Sequence, residues 1–279
     1  MSVERASNTI ADFPSLGAGK AFDRIANEYD QIFTDSVIGR AQRDVTWKEL
    51  TNTFSKGDSI LELNCGTGED ALFLAGQGIS VLACDASQQM IANAEQRLNA
   101  MPNPLPAVFR QLPTERIGEL AQTTQFDGAF SNFSGLNCVA DLAAVASSLN
   151  GIVKQNGRLV LCFSTRFCVI EILYFIAQGK WRKAFRRCKG YSEATLDGVP
   201  FTVYYPTVRQ IKQYFAPAFR LSSCIGIGVT VPPSYLESWA RRYPTIFSLL
   251  RRLEGFVAAA PVLRCLGDHV LLSFEKVPQ

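Results

Sequence analysis

Ile60-Leu61-Glu62-Leu63-Asn64-Cys65-Gly66-Thr67-Gly68-Glu69-Asp70 runs from an apolar strand into a glycine turn and on into a helix. Ligands of open α/β sheets bind beyond the carboxyl ends of the strands. The first turn must let its backbone approach them, so Gly66 and Gly68 stand where a Cβ would intrude. Asp85 follows at the tip of the next strand, 19 positions after Gly66, where a carboxylate can accept both ribose hydroxyls of a bound nucleoside. Among 20 glycines a close pair alone carries little. The weight comes from the strand before it, the amphipathic helix after it and the acid at the next strand's tip.

Outward from this motif, strand-type and helix-type stretches alternate: strands at residues 59–63, 80–85, 107–112, 126–132 and 158–163, helices at 69–76, 87–100 and 139–154. Such alternation predicts a doubly wound parallel sheet. In the helix from Ser87, Met90, Ile91, Ala94 and Leu98 share one face, and Ser87 is suited to cap it. Upstream, helices are expected at 21–33 and 37–54. After Phe163 the alternation stops, and residues 165–205 read as helix-rich, basic and aromatic. A helix at 207–215, strands at 219–231 and 269–277, and a helical stretch at 234–253 complete the chain. The expected fold class is therefore α/β: a Rossmann-like, doubly wound seven-stranded sheet, its last strand antiparallel, with a helical cap inserted after strand five. The expected division is an N-terminal helical lid (1–56), a cofactor-binding core (57–164), the cap (165–206) and the remainder of the core with the last two strands (207–279).

Composition narrows the function. A net charge of +3 is too small to signal nucleic-acid binding by itself. Eight cysteines stand singly, without a C-x-x-C pair and with one histidine, His269, which argues against zinc and against a disulfide framework. Reduced thiols in apolar runs suit a cytoplasmic location. Neither a signal-type N-terminus nor an apolar run long enough to span a bilayer is legible.

Gly66-Thr67-Gly68-Glu69-Asp70-Ala71 also satisfies the G-x-G-x-x-[GA] pattern of nicotinamide dehydrogenases. Glu62 breaks the tie. A carboxylate near the glycine turn would repel a pyrophosphate, whereas the positive amino group of S-adenosylmethionine is attracted to it. No tyrosine is followed four residues later by lysine, so hydride transfer to a carbonyl lacks an obvious proton donor.

Leu61-Glu62-Leu63-Asn64-Cys65-Gly66-Thr67-Gly68 resembles the first motif of class I S-adenosylmethionine-dependent methyltransferases, L-E-x-x-C-G-T-G. Phe22-Asp23-Arg24-Ile25-Ala26-Asn27-Glu28-Tyr29-Asp30 is similar to the F-D-x-x-A-x-x-Y-D segment preceding the core in many small-molecule members. Cys84-Asp85-Ala86-Ser87-Gln88-Gln89-Met90 resembles their turn after strand two, and Phe126 to Phe133 their fourth-strand motif. The resemblance covers roughly residues 22–163. It implies S-adenosyl-L-methionine as cofactor, with Tyr29 closing over it and Glu62 holding its amino group directly or through water. Gly66 and Gly68, beside Asn64 and Cys65, would make room for its methionine and ribose. Asp85 would bind the ribose, and Ala86 and Met90 would flank the adenine. Where many members carry an acid after strand three, this chain has Gln111-Leu112, and Ser131 and Asn132 stand at the tip of strand four.

The implied function is methyl transfer to a small lipophilic or aromatic acceptor. The alternatives are a non-catalytic cofactor-fold binding protein and, more remotely, a nicotinamide-dependent oxidoreductase. No catalytic base and no metal ligand is assigned. His269 reads more readily as a strand-end residue than as a base, and Tyr204 and Tyr205 as packing. Nucleic acid is not an expected partner, since strand four lacks an N-P-P-Y motif, and no partner protein can be inferred. One interaction is expected: the apolar run 167–177, followed by Lys180, Trp181, Arg182, Lys183, Arg186, Arg187 and Lys189, suggests peripheral membrane contact through the basic cap.

Overall fold

The structure, a computed structural model, describes residues 14–122 and 124–278. Seven strands form one sheet in the order β3-β2-β1-β4-β5-β9-β8. These are β1 (Ser59–Leu63), β2 (Ser80–Asp85), β3 (Ala107–Gln111), β4 (Phe126–Ser131), β5 (Val153–Ser164), β8 (Phe219–Ile227) and β9 (His269–Lys276). The first five are mutually parallel, and β9 inserts antiparallel between β5 and β8. The order reverses at β1, so the crevice beyond its carboxyl end is where such a sheet receives a ligand.

Alternation along β1 divides the core. Leu61 and Leu63 enter the cluster under α5 (Leu142–Ile152), while Ile60 enters the opposite cluster under α2 (Val37–Thr53) and α3 (Glu69–Gly76). Glu62, two residues from Ile60, shares the α2 and α3 face and is fully buried there. α4 (Gln88–Asn99) buries Met90, Ile91 and Ala94, and the Ser87 hydroxyl caps it by accepting from the Met90 amide at 3.0 Å.

α1 runs from Pro14 to Tyr29 and continues into a π-type turn, Asp30–Thr34, so the first helix starts earlier than its apolar period suggests. It is tied to α4 through the Asp23 carboxylate, which accepts from the Ser87 hydroxyl at 2.6 Å and the Gln89 amide at 2.9 Å.

The segment after β5 is only partly helical. α6 (Val169–Ala177) and α7 (Trp181–Ala184) are followed by an antiparallel hairpin of β6 (Tyr191–Leu196) and β7 (Val199–Tyr204), turning at Asp197-Gly198. This corrects the expected helical cap, which is helical only in its first part. Tyr191, Thr195, Val199, Phe201, Thr202 and Val203 are β-formers around an Asp-Gly turn, a hairpin signal that the neighbouring basic helices obscured. The hairpin lies against α1, with Phe22 and Phe201 ring centroids 6.0 Å apart. α8 (Val208–Phe215) starts in a capping box made by Thr207 and Gln210. The expected helix at 234–253 is broken at Tyr243. Pro244 lacks the amide that would continue α9 (Glu237–Arg242), and it instead starts α10 (Pro244–Val257).

Candidate functional site

A cleft opens beyond β1, at the point of the sheet where the strand order reverses. Of the residues singled out from sequence, Tyr29, Asn64, Cys65, Gly66, Asp85, Ala86, Met90 and Asn132 line it. Glu62, Gly68, Gln111, Leu112 and Ser131 do not. Gln111 donates to the Ala86 carbonyl at 3.3 Å, which places it behind the Asp85-Ala86 loop. Leu112 is buried in the core, its amide bonded to the Asp85 carbonyl at 2.9 Å. The Ser131 hydroxyl donates to Asn64 Oδ1 at 3.2 Å, supporting the turn from below.

The two glycines differ in use. Gly66 has φ +54°, and a Cβ there would point at the Tyr29 ring 3.9 Å away, so its open side faces the cleft. Gly68 has φ +79°, but a Cβ on it would come within 2.6 Å of the Phe109 ring and 2.9 Å of Ala94. Gly68 therefore serves close packing of the turn against β3 and α4 rather than making room for a ligand, which corrects its expected role.

Asp85 is held open-handed. Its two oxygens accept from the Gly66 amide at 2.9 Å and the Ser87 amide at 2.8 Å, leaving lone pairs for a diol. Burial raises its pKa from the usual carboxylate value, while those two amides pull it down. Glu62 is more extreme. Burial pushes its carboxyl well above the ordinary glutamate value, with Asp70 adding repulsion, and its Oε2 has no hydrogen-bond partner. A buried carboxyl oxygen without a partner is costly, and Glu62 carries this one just behind the glycine turn. Tyr29 closes the other side, its phenol raised to about 12 by burial and therefore neutral.

Several lining residues escaped the sequence reading. Arg43 on α2 reaches the cleft and pairs with Asp70 at 2.6 Å. Asp70 also accepts from Trp47 Nε1 at 2.6 Å and Asn132 Nδ2 at 2.9 Å. Burial alone would lower the Arg43 pKa, but Asp70 more than reverses that, so the guanidinium keeps its charge. Phe133 caps the guanidinium face, with the Arg43 carbon 4.8 Å from its centroid, and Phe33 backs the two lining rings by touching both Tyr29 and Phe133. His269 stands behind Phe133, 5.9 Å between ring centroids, with its pKa lowered by burial. Tyr205 is buried under Arg187, and Tyr204 contributes a backbone carbonyl to Asn137. Nothing in local spacing marks Arg43, and the fourth-strand motif that ends at Phe133 gives that ring no role, because both roles depend on α2 meeting the tip of β4.

The start of α3 discriminates between ligands. A dinucleotide pyrophosphate needs free amides at this helix N-terminus. Here Glu69 and Asp70 occupy the first turn, and Glu69 is gripped by Arg40 and Arg97. Although burial opposes it, those two arginines hold the Glu69 pKa below its usual value. The acidic first turn gives a pyrophosphate no advantage here, although Arg40 and Arg97 offset the charge of Glu69. The residues present suit S-adenosylmethionine: Asp85 keeps lone pairs for a ribose, Gly66 leaves its side of the cleft open, and Glu62 has an unpartnered oxygen behind the turn.

The basic segment after α6 is less solvated than its composition suggests. Arg187 is buried and bonds Glu171 at 2.7 Å and Asp268 at 2.9 Å, and Arg186 pairs with the same Glu171 at 3.0 Å. Lys180, Arg182, Lys183 and Lys189 are exposed.

A methyltransferase-domain family model matches residues 60–157. A 2-phytyl-1,4-naphtoquinone methyltransferase of Trichormus variabilis is 32% identical over 151 residues, covering 50% of this chain and 61% of that protein. A ubiquinone/menaquinone biosynthesis C-methyltransferase, UbiE, of Geotalea uraniireducens is 29% identical over 163 residues, covering 55% and 66%. The chain thus spans under two thirds of the length of these curated relatives. The cyclopropane synthase MmaA2 of Mycobacterium tuberculosis shares the fold with a TM-score of 0.61 at 15% identity, covering 95% of this chain and 99% of that one. With the glycine turn, Asp85 and the reversal of strand order at β1, these matches show a methyltransferase domain over residues 60–157, built on a fold that S-adenosylmethionine-dependent methyltransferases share.

Proposed function

We propose that this chain transfers a methyl group from S-adenosylmethionine to a small lipophilic or aromatic acceptor. The observation that carries the acceptor class is the set of aromatic rings, Phe22, Tyr29 and Phe133, that line the cleft beside the cofactor residues. The two quinone methyltransferases among the relatives support the same reading. The cofactor supplies an activated carbon: its carbon–sulfur bond breaks as the acceptor bonds the methyl, and sulfur keeps the electron pair. The residues of this chain then need mainly to align the reactants and exclude water. In this reading Asp85 holds the ribose, Glu62 the amino group, Ala86 and Met90 the adenine, and the lining aromatic rings the acceptor.

Incubating the chain with S-adenosylmethionine and a panel of quinols, phenols and long-chain alkenes should give acceptor-dependent S-adenosylhomocysteine. Cofactor binding without turnover on any of them would favour a non-catalytic binding protein. Asp85→Ala should weaken S-adenosylmethionine binding by about 1.5–3 kcal/mol, the range for a lost charge-assisted hydrogen bond, without unfolding the chain. Unchanged affinity in calorimetry would remove Asp85 from the site.

α1 acts as a lid in this reading, since Ala18, Gly19, Phe22 and Tyr29 all line the cleft. Removing residues 1–30 should lower cofactor affinity and turnover while the sheet still unfolds cooperatively. Full activity in the truncated chain would reduce α1 to packing.

A further inference from the structure

α10 carries an apolar stripe on the wrong side. Ile246, Leu249, Leu253 and Phe256 recur at helical spacing with 49, 64, 44 and 83% of their surface exposed, and Val262 beyond the helix is 74% exposed. The opposite face already fixes the helix. Phe247 is buried with Ile38, Ala41 and Ala240, and Glu254 accepts from the backbone amides of Val229, Thr230 and Val231. The outer stripe is therefore not needed for folding, and so contiguous an exposed apolar face marks an interaction surface.

Charge identifies what it meets. Residues 238–267 contain five arginines, no lysine and one acid, the buried Glu254. Arg241 is held by Glu237 and Arg251 by Asp44, and Arg242 and Arg252 are exposed beside the stripe. Even against those three acids the surface stays positive. A second copy meeting it across a two-fold axis would bring these arginines against themselves. An anionic lipid surface neutralises them and admits the apolar side chains to the depth of the headgroups. We propose that α10 and the turn after it dock this chain on the face of an anionic membrane, independently of how the cleft is used. No helix among the described residues is long and apolar enough to cross one, so the contact is peripheral.

The test is cosedimentation of the full chain with phosphatidylcholine vesicles containing phosphatidylglycerol, at low and high salt. Binding should appear at low salt and fade as salt rises. Leu249→Glu with Phe256→Glu should cut the bound fraction about tenfold or more, since each side chain lost is worth on the order of a factor of ten when buried. Arg242→Glu with Arg252→Glu should do the same through charge. All four positions are exposed, so thermal unfolding should stay unchanged. No binding by the wild type, or binding that both double variants retain, overturns the proposal. So does a wild-type dimer in gel filtration that Leu249→Glu with Phe256→Glu dissociates while no vesicle binding is seen.

Discussion

Asp70→Ala should cost about 3–5 kcal/mol of stability, because it leaves a buried charge without its counter-ion. Asp70 is the shared acceptor for Arg43, Trp47 and Asn132, joining α2, α3 and the tip of β4 beneath the cleft. Arg43 is almost wholly buried, and its Nε already lacks a partner. Removing the carboxylate therefore strands a guanidinium, not merely one hydrogen bond. Asp70→Asn keeps the shape and some hydrogen bonds but loses the charge, so it should fall between the two in urea unfolding. A loss below about 1 kcal/mol in the alanine variant, the scale of an exposed ion pair, would show that the cluster is solvated.

Glu62→Gln should act in opposite directions on the free and the loaded protein. Burial holds the Glu62 carboxyl above its ordinary value, so the folded chain prefers it protonated. The stability this gives is fully present below the ordinary glutamate pKa and is lost as pH rises through the raised one. At neutral pH the glutamine variant should therefore unfold at a higher temperature than the wild type when no cofactor is present. Cofactor binding should weaken by about 1.5–3 kcal/mol, since a neutral amide replaces the partner of the amino group. In the wild type, affinity should rise with pH over the same window as Glu62 ionises, with protons released on binding. The glutamine variant should show neither effect. Calorimetry in two buffers of different ionisation enthalpy reads the proton release directly, and equal apparent enthalpies for the wild type would refute it.

The sheet was legible because each of its signals is local. The alternating stretches from Ser59 to Ser164 carry their own period, cap and turn residues, and the first four strands fall within one residue of their expected bounds, while β5 begins at Val153, ahead of the expected 158. Asp85 and Gly66 were legible for the same reason, since strand tip and turn lie in fixed register. What stayed hidden depends on distant segments meeting. Arg43 and Asp70 pair across 27 positions, a spacing with no periodic signature. Gly68 looked like a ligand glycine because its contact with Phe109 belongs to the fold of β3 onto the turn. Arg187 looked solvated until Glu171 and Asp268 closed around it, and the hairpin of β6 and β7 was masked by the basic run before it.

The account turns on the cleft taking S-adenosylmethionine, with the ribose on Asp85 and the amino group toward Glu62 behind the glycine turn, in preference to a dinucleotide. Titrating the intact chain with S-adenosylmethionine and with nicotinamide dinucleotides, side by side in one calorimetric cell, tests this most directly. The expected result is saturable binding of S-adenosylmethionine, weakened by Asp85→Ala, and no heat from either dinucleotide. Binding of a dinucleotide with S-adenosylmethionine silent would contradict it.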